Sequence, residues 1–264
     1  METLLLHIFT SQWILFFVVC ALLLLATDAG FRLGLRLHHK RDDARKGQIG
    51  GVQGAILGLL ALLLGFTFSM SAGRYEGRRS LVLEEANAIG TTYLRAALLS
   101  EGHQVAVEDL LRQYVDARVD FYEVGEDRAK QIEVERTTAA LQARLWEHAV
   151  AAAKQAPTPI TASFISSLND TIDADASRVN ALRTHVPGAV WLLVVLVSLC
   201  GCCISGYSAG SSGLRNGFTS WVLPVMIAVV ITFIVDLDRP RGGMVGISQQ
   251  PMLDLRDSLR SPRQ

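Results

Sequence analysis

The side chains that could do chemistry in this sequence are few and poorly spaced for it. His38, His39, Asp42 and Asp43 form one group of potential metal ligands, but adjacent charged residues just beyond an apolar block are ordinarily solvated surface. Cys200, Cys202 and Cys203 form another, with only Ser205 and Tyr207 as polar neighbours and no further ligand to complete a site. Cys20 also lies inside an apolar block, so small residues packing between helices, not a disulfide framework, account for all four cysteines. There is no nucleophile elbow, phosphate loop, dinucleotide fingerprint or histidine pair at i and i+4. Neither catalysis, nor a cofactor, nor a resident metal is expected.

Half of the 264 residues are hydrophobic, and they are gathered into four blocks. Twenty-five Lys and Arg balance twenty-five Asp and Glu, so no global charge points to nucleic acid or to an acidic substrate. A spanning helix needs ~20 mostly apolar residues, because a rise of about 1.5 Å per residue must cross roughly 30 Å of hydrocarbon. Four segments meet that need, near Leu4 to Ala26, Val52 to Ser71, Val186 to Tyr207 and Phe218 to Val235. No Lys or Arg precedes the first apolar run and Ala26 to Gly30 is a poor cleavage site, so it reads as a retained span. Trp13 and Trp221 sit near block ends as interfacial anchors do, Pro187 suits a first helical turn, and Pro224 is tolerable within the fourth span.

The chain thus divides into a first span (1–27), a basic loop (28–50), a second span (51–72) and an extramembrane helical domain (73–185). A third span (186–208), a short loop (209–217), a fourth span (218–237) and a polar C-terminal segment (238–264) follow. The fold class is all-α: a polytopic membrane protein with four transmembrane helices and an extramembrane helical bundle.

Within 73–185 the apolar residues recur at helical spacing. Leu81, Glu85, Ala88, Thr92 and the Leu98–Leu99 pair extend the second span without a proline to stop it. Gly102 is read as a turn; Val107, Leu110, Leu111, Tyr114, Val115 and Phe121 then form the stripe of the next helix, which Gly125 ends. A third helix over 126–155 points Ile132, Leu141, Leu145 and Trp146 inward and stops at Pro157 and Pro159. The last carries Phe164, Leu168, Ile172, Val179, Leu182 and Val186 on one face and is expected to run directly into the third span.

In the second span Gly51, Gly54, Gly58, Leu62, Phe66, Met70 and Gly73 follow steps of three or four. Small residues at that spacing suit a close helix contact. They equally suit a path around an axis, where Leu62 and Phe66 would form apolar rings able to gate by dewetting, flanked by Ser69 and Ser71. Arg74, Arg78 and Arg79 follow, and could raise anion concentration at the mouth or contact lipid headgroups. Asp28, Asp236 and Asp238 at helix ends, and Glu84, Glu85 and Asn87 beyond the second span, are expected to take helix-packing partners. Seven cations, including Arg32, Arg36, Lys40 and Arg215, face one side of the membrane and eight, including Arg178, Arg183, Arg239, Arg241 and Arg256, face the other, so charge counting does not fix orientation.

The run Gly65-Phe66-Thr67-Phe68-Ser69, with Arg74-Tyr75, Arg78-Arg79 and Glu84 to Glu85, resembles the second-helix region of bestrophin anion channels. Residues 85–95, Asp236-Leu237-Asp238-Arg239-Pro240 and Ser248-Gln249-Gln250-Pro251 are similar to the bacterial bestrophin-like proteins. The resemblance implies a homo-oligomer, a pentamer in bestrophins, in the bacterial inner membrane, with the extramembrane domain cytoplasmic and small inorganic ions, anions such as chloride favoured, as the transported species. It makes Gly58, Leu62, Phe66, Ser69, Met70 and Gly73 pore-lining and Arg74, Arg78 and Arg79 the charge at the pore mouth. Gly58 departs from the bulky apolar pattern of the bestrophin neck, and of the acidic calcium-binding cluster of animal bestrophins only Asp236 and Asp238 remain, so calcium dependence is not implied. The alternative is a membrane-embedded sensor or scaffold whose helical domain signals or docks a partner and whose glycine face only packs helices.

Overall fold

The computed structural model describes residues 12–36, 43–125, 127–212, 217–239 and 245–261. His38, His39, Lys40, Asp42, Arg215 and Arg241 lie outside them. The described residues form eight helices and no strand: α1 (Gln12–Arg36), α2 (Asp43–Ala96), α3 (Glu101–Glu123), α4 (Arg128–Gln155), α5 (Pro159–Arg183), α6 (Gly188–Ser212), α7 (Gly217–Asp238) and α8 (Gln250–Arg260). Four helical segments are long and apolar enough to cross a membrane. The all-helical, four-span architecture legible in the sequence is therefore the architecture of the protein.

The chain forms two compact units, one of residues 1–74, 185–239 and 243–245, the other of 75–184, 240–242 and 246–264. In the first, α1 packs most extensively against α6 and also against α7. Leu23, Leu60, Val194, Ile227 and Ile231 are among its buried core, while Trp13, Phe17, Leu192, Leu196 and Trp221 point outward. Such an apolar exterior would aggregate in water; lipid is its natural solvent.

Glycine sets the closest approach in this unit. A Cβ added at Gly30 would lie 1.9 Å from the Cys203 carbonyl oxygen, one at Gly34 2.4 Å from that of Tyr207, one at Gly206 2.0 Å from that of Thr27 and one at Gly210 2.2 Å from that of Phe31. Two Gly-x-x-x-Gly faces thus interlock reciprocally across α1 and α6, which brings backbones into van der Waals contact where dispersion and packing drive helix association. The tight small-residue contact of the molecule joins the first and third spans.

In the second unit α2 continues from Tyr75, and its core gathers Ile89, Leu110, Leu111, Tyr114, Leu145, Phe164 and Leu168. The whole stripe of α3 named above is buried. Ile132 and Trp146 of α4 are exposed instead, since Leu141, Leu145, Ala149 and Ala152 define the buried face. Gly102 lies inside α3; the turn falls at 97–100, where Leu98 and Leu99 N–H donate to Arg95 and Ala96 carbonyls. Asp127 caps α4 and Thr158, with Pro159 behind it, forms a capping box on α5. The amphipathic α8 returns Met252 and Leu259 to the core.

The helix of Phe164 and Leu168 does not run into the third span. It ends at Arg183, and 184–187 are non-helical before α6 starts at Gly188. Pro187 explains the break, because its ring disfavours helical geometry at Val186 and it donates no N–H. The Val186 N–H instead donates to both Asp238 carboxylate oxygens, at 3.2 and 3.0 Å.

Gly125 follows α3 at φ +61, a left-handed conformation that an L side chain resists. Gly125→Ala is expected to destabilise the full-length protein by about 1 kcal/mol, read as a small fall in melting temperature in detergent.

Candidate functional site

The α2 helix of the first unit has two unlike faces. Ile56, Leu57, Leu60, Leu63 and Leu64 pack into the core, and Leu57 comes within 3.3 Å of a Cβ placed on Gly201. Roughly half a turn away at about 100° per residue lie Gly51, Gly54, Gly58, Leu62, Phe66, Ser69 and Gly73, all exposed. Leu62 is 55% and Phe66 65% exposed. Met70 turns to the margin of this face and is half-buried, and Ser71 is buried on the packed side.

The glycines of this face differ from those joining α1 to α6. An added Cβ at Gly47, Gly50, Gly51, Gly54, Gly58, Gly65, Gly73 or Gly77 would meet nothing within 4 Å. Each glycine inside a helix destabilises it by about 1 kcal/mol relative to alanine. Eight of them lie in one helix, and among the described residues no contact at their Cβ positions accounts for that cost.

The three arginines have separate fates. Arg74 pairs with Asp238 at 3.5 Å. Arg78 is buried and donates to the carbonyls of Ala181 at 3.1 Å and Thr184 at 2.7 Å, where it closes the end of α5. Arg79 stays exposed, 3.8 Å from Glu76, and Glu84 and Asn87 are exposed further along the helix. Asp28 pairs with Arg32 at 2.6 Å, and Asp236 accepts from the Val245 N–H at 3.1 Å.

Glu85 is the centre of a buried ionic cluster in the second unit. Its carboxylate accepts from Arg118 Nε at 2.5 Å and from an Arg178 nitrogen at 2.5 Å, and Arg118 reaches Asp175 at 2.7 Å. Arg178 also donates to Gln249, and Gln142 donates to Asp175 and Tyr114. Arg118 lies 4.9 Å above the Phe121 ring. Two carboxylates thus neutralise two guanidiniums. Burial would lower the Arg118 pKa, yet Glu85 and Asp175 beside it hold it above its ordinary value. Burial pushes the Asp175 carboxyl up against the pull of Arg118, and burial followed by Asp175 and Glu85 raises the Tyr114 phenol. Sequence reasoning missed Arg118 and Asp175; their signal was a charge at helical spacing within an apolar stripe.

The sequence model of the Bestrophin-like domain matches residues 16–252. No curated protein matches the chain. Among solved structures, one of a membrane protein is similar with a TM-score of 0.65 and 14% identity, covering 92% of this chain and 97% of that one. A bacterial bestrophin homologue from Klebsiella pneumoniae is similar with a TM-score of 0.61 and 13% identity, covering 94% of this chain and 99% of that one. A substituted form of that homologue has a TM-score of 0.64 and 16% identity, covering 94% and 98%. At such identities these likenesses describe the fold.

Proposed function

Because this chain belongs to the bestrophin-like family, we propose that its copies assemble around an axis, as a pentamer, into a channel for small inorganic ions lined by the exposed face of α2. One observation carries the reading: a Cβ added to the glycines of this face meets no described residue within 4 Å, whereas at Gly30, Gly34, Gly206 and Gly210 it would run into backbone of the facing helix. Around an axis, Leu62 and Phe66 would narrow the path to apolar rings, and water leaves such a constriction readily. Gly58 would widen it on one side and Ser69 would offer a hydroxyl on the other. The assembly lies in the bacterial inner membrane with the extramembrane unit in the cytoplasm.

Charge at the mouth is mixed. The preference for anions rests on Arg79 alone among the three arginines, since Arg74 and Arg78 are engaged, and Glu76 and Glu84 stand exposed on the same helix. Chloride is therefore one permeant ion alongside alkali cations, with weak discrimination between them.

Planar bilayers containing the purified oligomer test this. Channel openings are expected, with a reversal potential close to zero under a KCl gradient. Leu62→Ser with Phe66→Ser should raise the open fraction or the conductance several-fold by wetting the constriction. Absence of current above background with intact oligomers present would reject the channel and leave the scaffold reading.

A further inference from the structure

Two histidines face each other in the second unit. His103 stands in the first turn of α3 and His148 in the last third of α4, and their Nδ1 atoms are 3.2 Å apart. The rings are nearly perpendicular, at 79°, and both residues are half-buried. The core holds their backbones in place: Val107 lies one turn after His103, Leu145 and Ala152 lie one turn either side of His148, and all three are buried. No other described residue bonds to either ring.

One hydrogen bond can join the pair, with one ring in the Nδ1–H tautomer. The same separation is also that of two imidazoles on one metal ion. At a metal–nitrogen distance of about 2.0–2.1 Å, neighbouring ligands stand roughly 3.3 Å apart in a tetrahedral shell and roughly 2.9 Å apart in a square-planar one. The 3.2 Å gap falls between these. With the ring centroids 5.5 Å apart, the two nitrogens point almost straight at each other. A tilt of roughly 40° in each ring aims both at one ion beside that line, and each half-buried ring has solvent on one side to make it.

We propose that His103 and His148 bind a divalent late transition-metal ion, of the zinc, nickel or copper class, through both Nδ1 atoms. Imidazole nitrogen selects that class over magnesium and calcium, which take oxygen ligands. The ring that held its proton at Nδ1 holds it at Nε2 instead, so both Nδ1 lone pairs serve the ion. No third His, Cys, Asp or Glu joins the pair among the described residues. Water therefore completes the shell, and the site is open and exchangeable, unlike a closed structural zinc site. The two ligands are 45 residues apart in the chain, so no spacing motif announces them. A bound ion ties α3 to α4 and stabilises the extramembrane unit.

The site does not depend on conduction, so its failure and that of the channel are separate results. Full-length protein is freed of any histidine tag and carries His38→Ala with His39→Ala, so that only the described pair offers two histidines together. In nanodiscs it is titrated with Cu2+ and followed by electron paramagnetic resonance. One copper per chain with two nitrogen ligands is expected, and calorimetry should show heat from Zn2+ and none from Mg2+ at equal concentration. His103→Ala and His148→Ala should each weaken Zn2+ binding about tenfold or more, because even a group that only orients a metal ligand is worth about 10–100-fold. His103→Gln keeps a polar side chain there and should show the same loss if the alanine variant does not fold. His185→Ala, exposed and outside the pair, should leave binding unchanged. Zn2+ should also raise the melting temperature of the parent and of neither single variant. A copper spectrum with fewer than two nitrogen ligands, or Zn2+ affinity unchanged in the His103 and His148 variants, would overturn the proposal.

Discussion

Glu85→Ala should collapse the extramembrane unit. The carboxylate receives two guanidiniums at 2.5 Å each, and both arginines are almost completely buried, so its removal strands two cations with Asp175 alone to face them. Breaking a buried pair by deleting one partner typically costs about 3–5 kcal/mol, a large share of the ~5–15 kcal/mol that holds a domain together. Glu85→Gln keeps an acceptor but no charge and should fall between. Thermal unfolding and size-exclusion profiles of the full-length protein in detergent give the readout. A Glu85→Ala protein that melts like the wild type would show the cluster to be marginal.

Gly206→Leu should disrupt the membrane unit just as severely. Its Cβ would fall 2.0 Å from the Thr27 carbonyl oxygen and 3.0 Å from the Phe31 nitrogen, both backbone atoms, so the helices must part before the side chain fits. Ordinary overpacking costs about 1–3 kcal/mol, and a clash with backbone lies at or beyond the top of that range. Gly58→Leu is the matched control, because a Cβ added there meets no described residue within 4 Å. It should leave the folded subunit intact while reducing current in bilayers. Comparing yields of monodisperse protein separates the two: equal loss in both variants would mean that the two classes of glycine are not distinct.

That contrast also marks the limit of the sequence. Four spans follow from apolar length, and the buried stripe of α3 follows from spacing alone, because both are local consequences of a helix in lipid or against a core. The packing of a glycine is not local. Gly30 with Gly34 and Gly206 with Gly210 share their spacing of four with Gly50 and Gly54, and with Gly54 and Gly58, and nothing near them in the chain tells which pair meets a partner. Arg118 is legible in the same local way, since a guanidinium four residues after Tyr114 and three before Phe121 lies on their buried face. In α8 the same cue, Met252 and Leu259 seven residues apart, was diluted by a polar setting. On α2 the common exposure of Gly58, Leu62 and Phe66 follows from their spacing, whereas the engagement of Arg78 does not, because the carbonyls it serves lie about a hundred residues away.

The interlocked faces of α1 and α6 also bear on how the chain is made. About 175 residues separate Gly30 from Gly206, which at about 5–20 residues per second is roughly ten to thirty-five seconds of synthesis. During that interval the nascent first span waits in the bilayer with its groove unfilled. A second ribosome's product emerging nearby could offer its own small-residue groove, so mispairing between nascent chains should rise with translation density and fall if synthesis of the intervening bundle is hastened.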